Sequence, residues 1–345
     1  MYGARQVGKT TLVKQLCQEY GDGAKYINCD IIHDREALGS QDPKAMKQYI
    51  GNYRIVVIDE AQRVKNIGLN LKLLHDSYPE LQIIATGSSS FDIAQDIHEP
   101  MTGRVTKFML FPLSVREIMP VNETHIPVNL IHTMLRFGSY PDVVEGTDQD
   151  VMTRLQFLAS DYLYQDILQF DRIKKSDQLH NILKLLAFQV GSEVSYGEIA
   201  NTLDLNLLTV EKYIDLLEQC FVIFRLQPYH ANLRNQIKKK QKIYFWDLGI
   251  RNSIINQFNT LDMRNDQGAL RENFVIAERR KRNYYHHAFV NTYFRRNYQQ
   301  QEIDYLEQQQ GELQAYECKR NAKTITKTPA FLKELGASNI TVIHP

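Results

Sequence analysis

Short apolar runs alternate with amphipathic stretches along the first third of the chain. The apolar runs end in polar or turn residues and predict strands, at Ala24–Asp30, Ile55–Ile58 and Gln82–Ala85. Apolar residues at helical spacing predict helices before and between them, at Lys9–Tyr20, Pro43–Tyr49 and Ile67–Ser77. This alternation predicts an α/β fold with a parallel sheet and helices on both of its faces.

The pattern changes after residue 114. Residues 115–175 have mainly helical periodicity and predict a helical lid or connector, interrupted by the Gly/Pro segment Phe137–Pro141. Residues 176–250 predict three helices followed by a pair of strands, which is the order of a winged helix. Residues 251–345 predict a further α/β domain. A chain of 345 residues is long enough for several domains, so we divide it into a core at 1–114 and these three later domains.

The stretch Gly3–Thr11 fits the pattern G-x-x-x-x-G-K-[ST] of a phosphate-binding loop (P-loop, or Walker A motif). Its glycines let backbone N–H groups face a triphosphate, its lysine adds a positive charge, and its threonine offers a hydroxyl to Mg²⁺. A glycine-containing surface turn is the alternative. The pattern predicts that ATP and Mg²⁺ bind through seven residues, namely Gly3, Gln6, Val7, Gly8, Lys9, Thr10 and Thr11.

Two carboxylates, Asp59 and Glu60, directly follow the apolar run Ile55–Ile58. In open α/β sheets this end of a buried strand is where ligands bind. We therefore predict that Asp59 holds the metal together with Thr10, as a Walker B residue does, and that Glu60 activates the attacking water. A strand that merely runs into a loop would also show such residues.

Three further residues are candidates for the same site. Thr86 and Ser88 follow the strand Gln82–Ala85, and we predict that they contact the γ-phosphate or the attacking water, with a polar turn as the alternative. Arg104 is a candidate arginine finger, in the same chain or in a neighbouring subunit, although a solvated loop residue is the alternative.

Only Met1 and Tyr2 precede the P-loop. A phosphate-binding loop normally leaves the end of a central strand. We therefore expect that strand to be missing here, and the site to be weakened or mobile as a result.

The composition is that of an ordinary soluble globular protein, with 43% hydrophobic and 23% charged residues. Four dispersed cysteines, without a C-x-x-C pair, argue against a disulfide framework and a zinc site. No apolar run is long enough to span a bilayer and no signal peptide is present, so we expect a cytoplasmic protein with no membrane partner.

The net charge of +1 hides an uneven distribution. Residues 225–300 contain fifteen Lys or Arg against five acids, and the remainder contains 26 against 35. This basic segment predicts contact with DNA or with another protein, while a solvated surface is the alternative. The predicted recognition helix carries Glu211, Asp215 and Glu218, which favours a spacer or protein-docking role. DNA would instead be contacted by Lys238, Lys239, Lys240 and Lys242.

A possible second site lies near the C-terminus. Glu272 is on a predicted amphipathic helix, Asp304 begins a strand, and Glu317 and Lys319 share one face of another strand. Such acids with a lysine can bind a divalent metal beside a phosphodiester, although ordinary ion pairs at a sheet edge are the alternative. The run Arg279–Arg282 and nearby aromatic residues are typical of polynucleotide grooves.

The chain resembles a family of prokaryotic AAA-type P-loop ATPases that carry a C-terminal domain of unknown function. The resemblance implies an ATPase core, a winged helix and a C-terminal fold similar to restriction-endonuclease-like, PD-(D/E)XK nuclease-like domains. The absent first strand departs from the family. The resembling stretches are Gly3–Thr11, Val57–Gln62, Ala85–Ser89, Gly103–Leu113, Gly138–Pro141, Tyr162–Ile167, Tyr244–Gly249, Arg271–Val275, Glu302–Tyr305 and Glu317–Lys319.

Three hypotheses follow. The first is an Mg²⁺-dependent ATPase whose nucleotide state moves the winged-helix and C-terminal domains. The second is a nucleotide-gated binding or scaffold module with negligible turnover. The third is a metal-dependent nuclease that is regulated by ATP.

Overall fold

The computed structural model describes residues 1–87, 103–123, 125–144, 146–162, 176–229, 240–297, 301–319 and 340–343. It separates into two units. Unit 1 comprises residues 1–111 with 219–221, and unit 2 comprises residues 112–218 with 222–345. None of the helices in the described ranges is long and apolar enough to cross a membrane.

Strands and helices alternate in unit 1, as the apolar pattern predicted. The elements are β1 (Tyr2–Gly3), α1 (Lys9–Tyr20), β2 (Ala24–Asn28), α2 (Ile32–Leu38), α3 (Pro43–Ile50), β3 (Ile55–Asp59), α4 (Ile67–Ser77), β4 (Gln82–Ala85) and β5 (Met109–Leu110). Short 3-10 turns occupy Gly21–Gly23 and Ala61–Arg63. Helix α2 was not predicted.

The sheet of unit 1 is parallel. Strands β2, β3 and β4 are neighbours in that order, and β1 pairs with β5. A bridge between Tyr2 of β1 and Gly87, which lies just after β4, joins the pair β1-β5 to the three strands β2-β3-β4. The strand order is therefore β2-β3-β4-β1-β5. Val56, Val57 and Ile58 are fully buried, because both faces of a parallel sheet are covered.

The expectation of a missing first strand is wrong. Tyr2 and Gly3 form a two-residue strand whose partners are Met109 and Leu110. The backbone N–H of Tyr2 donates to the carbonyl of Phe108 at 2.7 Å. A strand therefore leads directly into the P-loop and fixes its start between β4 and β5.

Unit 2 contains mostly helices before residue 222 and mostly strands after it. Its helices are α5 (Val115–Ile118), α6 (Val128–Phe137), α7 (Pro141–Val144), α8 (Asp148–Phe157), α9 (Ser176–Phe188), α10 (Tyr196–Leu203), α11 (Leu207–Gln219), α12 (Leu248–Ile254) and α13 (Gln267–Tyr285). A π turn occupies Leu158–Tyr162 and a 3-10 turn Leu261–Met263. Its strands are β6 (Glu193–Val194), β7 (Ile223–Pro228), β8 (Gln241–Phe245), β9 (Asn291–Arg296), β10 (Glu302–Gln309), β11 (Glu312–Cys318) and β12 (Ile340–Ile343).

One sheet runs through the later part of unit 2, in the order β12-β11-β10-β9-β7-β8-β6. The pairs are antiparallel except β7 with β9 and β11 with β12. The pairing of Gln227 with Tyr293 crosses the predicted boundary between residues 250 and 251. Residues on both sides of this predicted boundary therefore share a sheet.

The predicted lid, residues 115–175, also packs within unit 2. Its apolar residues Ile131 and Leu135 belong to the same buried cluster as Leu248 and Leu270. Burial of one continuous apolar cluster ties these segments together. Where it is described, the predicted lid is thus part of the core of unit 2.

Candidate functional site

The loop between β1 and α1 has a strongly curved backbone. Gln6 (φ 62°) and Gly8 (φ 95°) are in the left-handed region, and α1 begins immediately afterwards at Lys9. Gly3 lies so close to Leu110 that an added Cβ would collide with the carbonyl oxygen of that residue. Such a turn at the start of a helix leaves N–H groups without intrahelical partners and binds anions.

Lys9 places a positive charge inside this loop. Its side-chain Nζ donates to the carbonyl oxygens of Gly3 at 2.9 Å and Ala4 at 2.6 Å, and the residue is only 6% exposed. Val7 packs inward, whereas Thr11 is exposed. The loop therefore holds a buried ammonium group within a curved backbone, as a phosphate site requires.

Asp59, the last residue of β3, is 2% exposed and is surrounded by hydroxyl groups. Its Oδ2 accepts from Thr10 Oγ1 at 2.8 Å and from Tyr26 OH at 2.6 Å. Its Oδ1 accepts from Thr86 Oγ1. The structure thus brings together Thr10, Asp59 and Thr86, which the sequence placed in one site.

Glu60 follows in a left-handed backbone conformation (φ 55°, ψ 41°). Gln62 Nε2 donates to Glu60 Oε2 at 2.6 Å, and the Glu60 N–H donates to Thr86 Oγ1 at 3.3 Å. Burial raises the pKa of Glu60, although the Gln62 hydrogen bond and the charge of Lys9 act in the opposite direction. A carboxylate with a raised pKa is a stronger base than a solvated one.

The structure does not bring Arg104 to Asp59 and Glu60; it pairs with Asp76 instead. Its Nε pairs with Asp76 Oδ1 at 3.2 Å, and both side chains are about 40% exposed. Asp76 lies near the end of α4, which leads back towards the start of β4, whereas Asp59 lies where β3 ends. The prediction of an arginine finger within the same chain is therefore not supported. The other candidate, Ser88, lies outside the described residues.

The oxygen atoms of Thr10 and Asp59 are the ligand type that Mg²⁺ prefers. Within the described ranges, no group of three or more His, Cys, Asp or Glu side chains could hold a metal by itself. A nucleotide-bound Mg²⁺ needs only one or two protein ligands beside phosphates and water. The residues present fit such an ion.

The predicted second site lies in unit 2, and the charge of Glu272 in this site is balanced by a lysine. Glu272 accepts from Lys242 Nζ at 2.9 Å and from Tyr244 OH at 2.5 Å. Lys242, whose side chain is 3% exposed, also pairs with Glu302. Burial alone would lower the pKa of Lys242, but the charges of both glutamates outweigh it and raise the pKa.

The other members form local contacts. Asp304 Oδ2 accepts from the Cys318 N–H at 2.7 Å, and Lys319 Nζ pairs with Glu317 Oε1 at 3.0 Å. Burial, followed by the charge of Glu272, raises the pKa of Asp304 to about 7. Within the described residues, no group of three or more His, Cys, Asp or Glu side chains could hold a metal. Glu272 and Glu317 form ion pairs with lysines, whereas Asp304 accepts a backbone N–H. The metal site stays a prediction.

The basic run at residues 279–282 is largely engaged within unit 2. Arg279 forms a bidentate ion pair with Glu307 at 2.9 and 2.7 Å, and Lys281 pairs with Glu278 at 2.9 Å. Cations that are neutralised in this way are not available to a polyanion. The excess of positive charge over residues 225–300 therefore includes Arg279, whose charge is balanced by Glu307 outside that segment.

Two of the three acids of helix α11 also form ion pairs. Asp215 and Glu218 both pair with Arg225 of β7. Of the lysines predicted to contact DNA, Lys242 is buried, Lys240 is exposed, and Lys238 and Lys239 lie outside the described residues.

Sequence reasoning missed two residues of the unit 1 site, Tyr26 and Gln62. Tyr26 lies on β2, and nothing in its local sequence marks it as functional. The pairing of Asn28 with Asp59 is what brings β2 beside the carboxylate, and this pairing is a tertiary feature. Gln62 is two residues from Glu60 and could have been considered for that reason.

Comparison with known proteins shows which domain families the chain is similar to. Residues 1–119 match the family model of the AAA domain. Residues 128–261 match a domain of unknown function, DUF8612, and residues 267–343 match another, DUF4143. The N-terminal third of the chain is therefore similar to AAA domains, the domain type of AAA-type ATPases.

Similar proteins over most of the chain are uncharacterized. One from Methanocaldococcus jannaschii is 27% identical over 315 residues, which cover 80% of this chain and 66% of that protein. One from Mycobacterium bovis is 26% identical over 353 residues, which cover 99% and 75%. One from Haemophilus influenzae is 25% identical over 274 residues, which cover 74% and 68%. The chain thus spans about two thirds to three quarters of the length of these relatives.

Proposed function

We propose that unit 1 binds ATP with Mg²⁺ at the loop from Gly3 to Gly8 and hydrolyses it. The observation that carries this proposal is the convergence of Thr10 and Thr86 on the carboxylate of Asp59, directly beside Glu60. The AAA match over residues 1–119 supports the same activity.

Each residue has a role that follows from its contacts. Lys9, already inside the loop, provides positive charge for the terminal phosphates. Thr10 and Asp59 would hold Mg²⁺, which neutralises charge on the phosphates when it is bound. Glu60 accepts a proton from the attacking water, and Thr86 keeps the Glu60 backbone beside Asp59.

We also propose that residues 176–246 form a winged helix. The order of α9, β6, α10, α11, β7 and β8, with β6 and β7 on either side of β8, supports this proposal. Movement of this segment with nucleotide state stays a prediction. Contact with DNA or another protein, nuclease activity of the C-terminal residues and a nuclease-like fold there also stay predictions, without a supporting contact in the described residues.

Phosphate release at saturating Mg·ATP tests the proposed reaction. We expect turnover by the parent protein, and a fall of about 100-fold or more in Glu60→Gln, because general-base catalysis contributes about 10²–10⁴-fold. Glu80→Gln removes an exposed carboxylate of the same unit and should behave as the parent does. Normal turnover in Glu60→Gln would remove the assignment of the base.

Binding of a fluorescent ATP analogue separates the alternatives. Lys9→Ala should lose binding, whereas Glu60→Gln should retain it. If the parent binds ATP but releases no phosphate, the protein is the nucleotide-gated binding module instead. If the parent binds no nucleotide, the proposal fails.

A further inference from the structure

We propose that Tyr26 is a positioning residue for Asp59 and sets the affinity of the site for Mg²⁺. This inference rests on the proposed function, because it concerns the metal that accompanies ATP. It adds a residue outside both sequence motifs, 33 positions before the carboxylate that it contacts.

The contact is built by the sheet of unit 1. Strand β2 pairs with β3 in parallel, and Tyr26 lies opposite Val57, two residues before Asp59. The tyrosine ring reaches along the strand, so that its OH lies 2.6 Å from Asp59 Oδ2. Lys14 of α1 lies over the ring, with its Nζ 5.2 Å from the ring centroid.

Three hydroxyl groups from three different elements converge on this carboxylate. Thr10 of α1 and Tyr26 of β2 donate to Oδ2, and Thr86, which follows β4, donates to Oδ1. A carboxylate has about four acceptor positions. The three donors leave about one position for a metal or its water, and they fix the direction in which it points.

The O–H of Tyr26 shares Asp59 Oδ2 with the hydroxyl of Thr10. Without the O–H of Tyr26, Asp59 Oδ2 would keep only the hydrogen bond from Thr10. The Thr10 oxygen must also bind the metal.

Partners that hydrogen-bond to a metal ligand contribute about 10–100-fold to metal affinity. Since Thr10 and Thr86 would remain, we expect the lower end of this range for Tyr26→Phe. The Mg²⁺ concentration for half-maximal phosphate release should rise about tenfold. ATP binding in excess EDTA should not change, because the contact concerns the metal ligand and not the loop.

The matched control is Tyr49→Phe. The Tyr49 OH donates to Asp34 Oδ1 at 2.6 Å, so the variant removes the same kind of contact from a carboxylate of the same unit that is not assigned to the metal. Its Mg²⁺ dependence should equal that of the parent. Magnesium titrations of phosphate release and EDTA binding curves would be recorded for all three proteins.

The outcomes are distinct. If the parent and Tyr26→Phe show the same Mg²⁺ half-saturation, the inference is wrong while the proposed function stands. If Tyr26→Phe also loses ATP binding in excess EDTA, Tyr26 has a general structural role and the inference is again wrong. If the parent itself shows no response to Mg·ATP, the proposed function fails first and the inference fails with it.

Discussion

Replacing Asp304 with asparagine should stabilise unit 2 above neutral pH. Asp304 lies half-buried at the start of β10, near the charge of Glu272, and its pKa is raised to about 7. Asparagine has nearly the same shape, and its carbonyl oxygen can still accept the Cys318 N–H that Asp304 Oδ2 accepts at 2.7 Å. The substitution therefore removes the charge and keeps the hydrogen bond.

The sign and size of the effect follow from proton linkage. The folded protein binds this proton more tightly than the unfolded chain, where the pKa is about 3.9. The parent therefore loses stability as pH rises from about 4 to about 7, and no further above that. A shift of about three pKa units corresponds to about 4 kcal/mol, and partial exposure of Asp304 reduces this to about 2–4 kcal/mol.

Trp246 provides the assay. It is the single tryptophan of the chain, is 7% exposed, and lies in unit 2 against Phe224, with ring centroids 4.5 Å apart. Its fluorescence during urea unfolding therefore reports on this unit alone. At a urea m-value of about 2 kcal/mol/M, the midpoint of Asp304→Asn should exceed that of the parent by about 1–2 M above neutral pH.

The pH profile is the critical observation. The difference between the two midpoints should be small near pH 4–5 and should grow towards neutral pH. Glu312→Gln, which removes an exposed carboxylate at the start of β11, controls for the change in net charge. A difference that does not depend on pH, or a less stable Asp304→Asn above neutral pH, would refute the reasoning.

Three other outcomes are expected. Lys242→Met leaves Glu272 and Glu302 without their shared cation, so the free energy of unfolding of unit 2 should fall by about 3–5 kcal/mol. The same urea unfolding measures this loss, and an unchanged midpoint would show that the ion pairs contribute nothing. Gly3→Ala should weaken binding of a fluorescent ATP analogue by at least about tenfold, because the Cβ of the alanine would collide with Leu110 and distort the loop. An affinity equal to that of the parent would contradict the loop geometry. Arg104→Ala should change steady-state phosphate release less than about twofold, whereas a fall of about 10³-fold or more would restore the finger role.

Much of unit 1 could be predicted because its signals are local. The apolar run before Asp59 is a buried parallel strand, and the glycine pattern near the start is the loop at the head of α1. Each of these features depends on residues within about ten positions of one another. Local periodicity and turn chemistry decide such elements before any tertiary contact is known.

Less of unit 2 could be predicted, because residues that contact one another there are distant in sequence. The pairing of β7 with β9 joins residues on both sides of the predicted division after residue 250, and no local pattern indicates it. The run at residues 279–282 looked like a nucleic-acid surface, yet Arg279 pairs with Glu307, 28 positions away. A count of charges shows how many cations a segment has, but not which of them are neutralised.

The sequence by itself determined the phosphate-binding loop, the carboxylates after β3 and the alternation of strands and helices in unit 1. Only the tertiary structure decided which groups surround Asp59, since Thr86, Tyr26 and Thr10 are 27, 33 and 49 positions from it. It also decided that Lys242 is held by Glu272 and Glu302. The physical reason is the range of the interactions: backbone preferences act between neighbours in the chain, whereas hydrogen bonds and ion pairs act between neighbours in space.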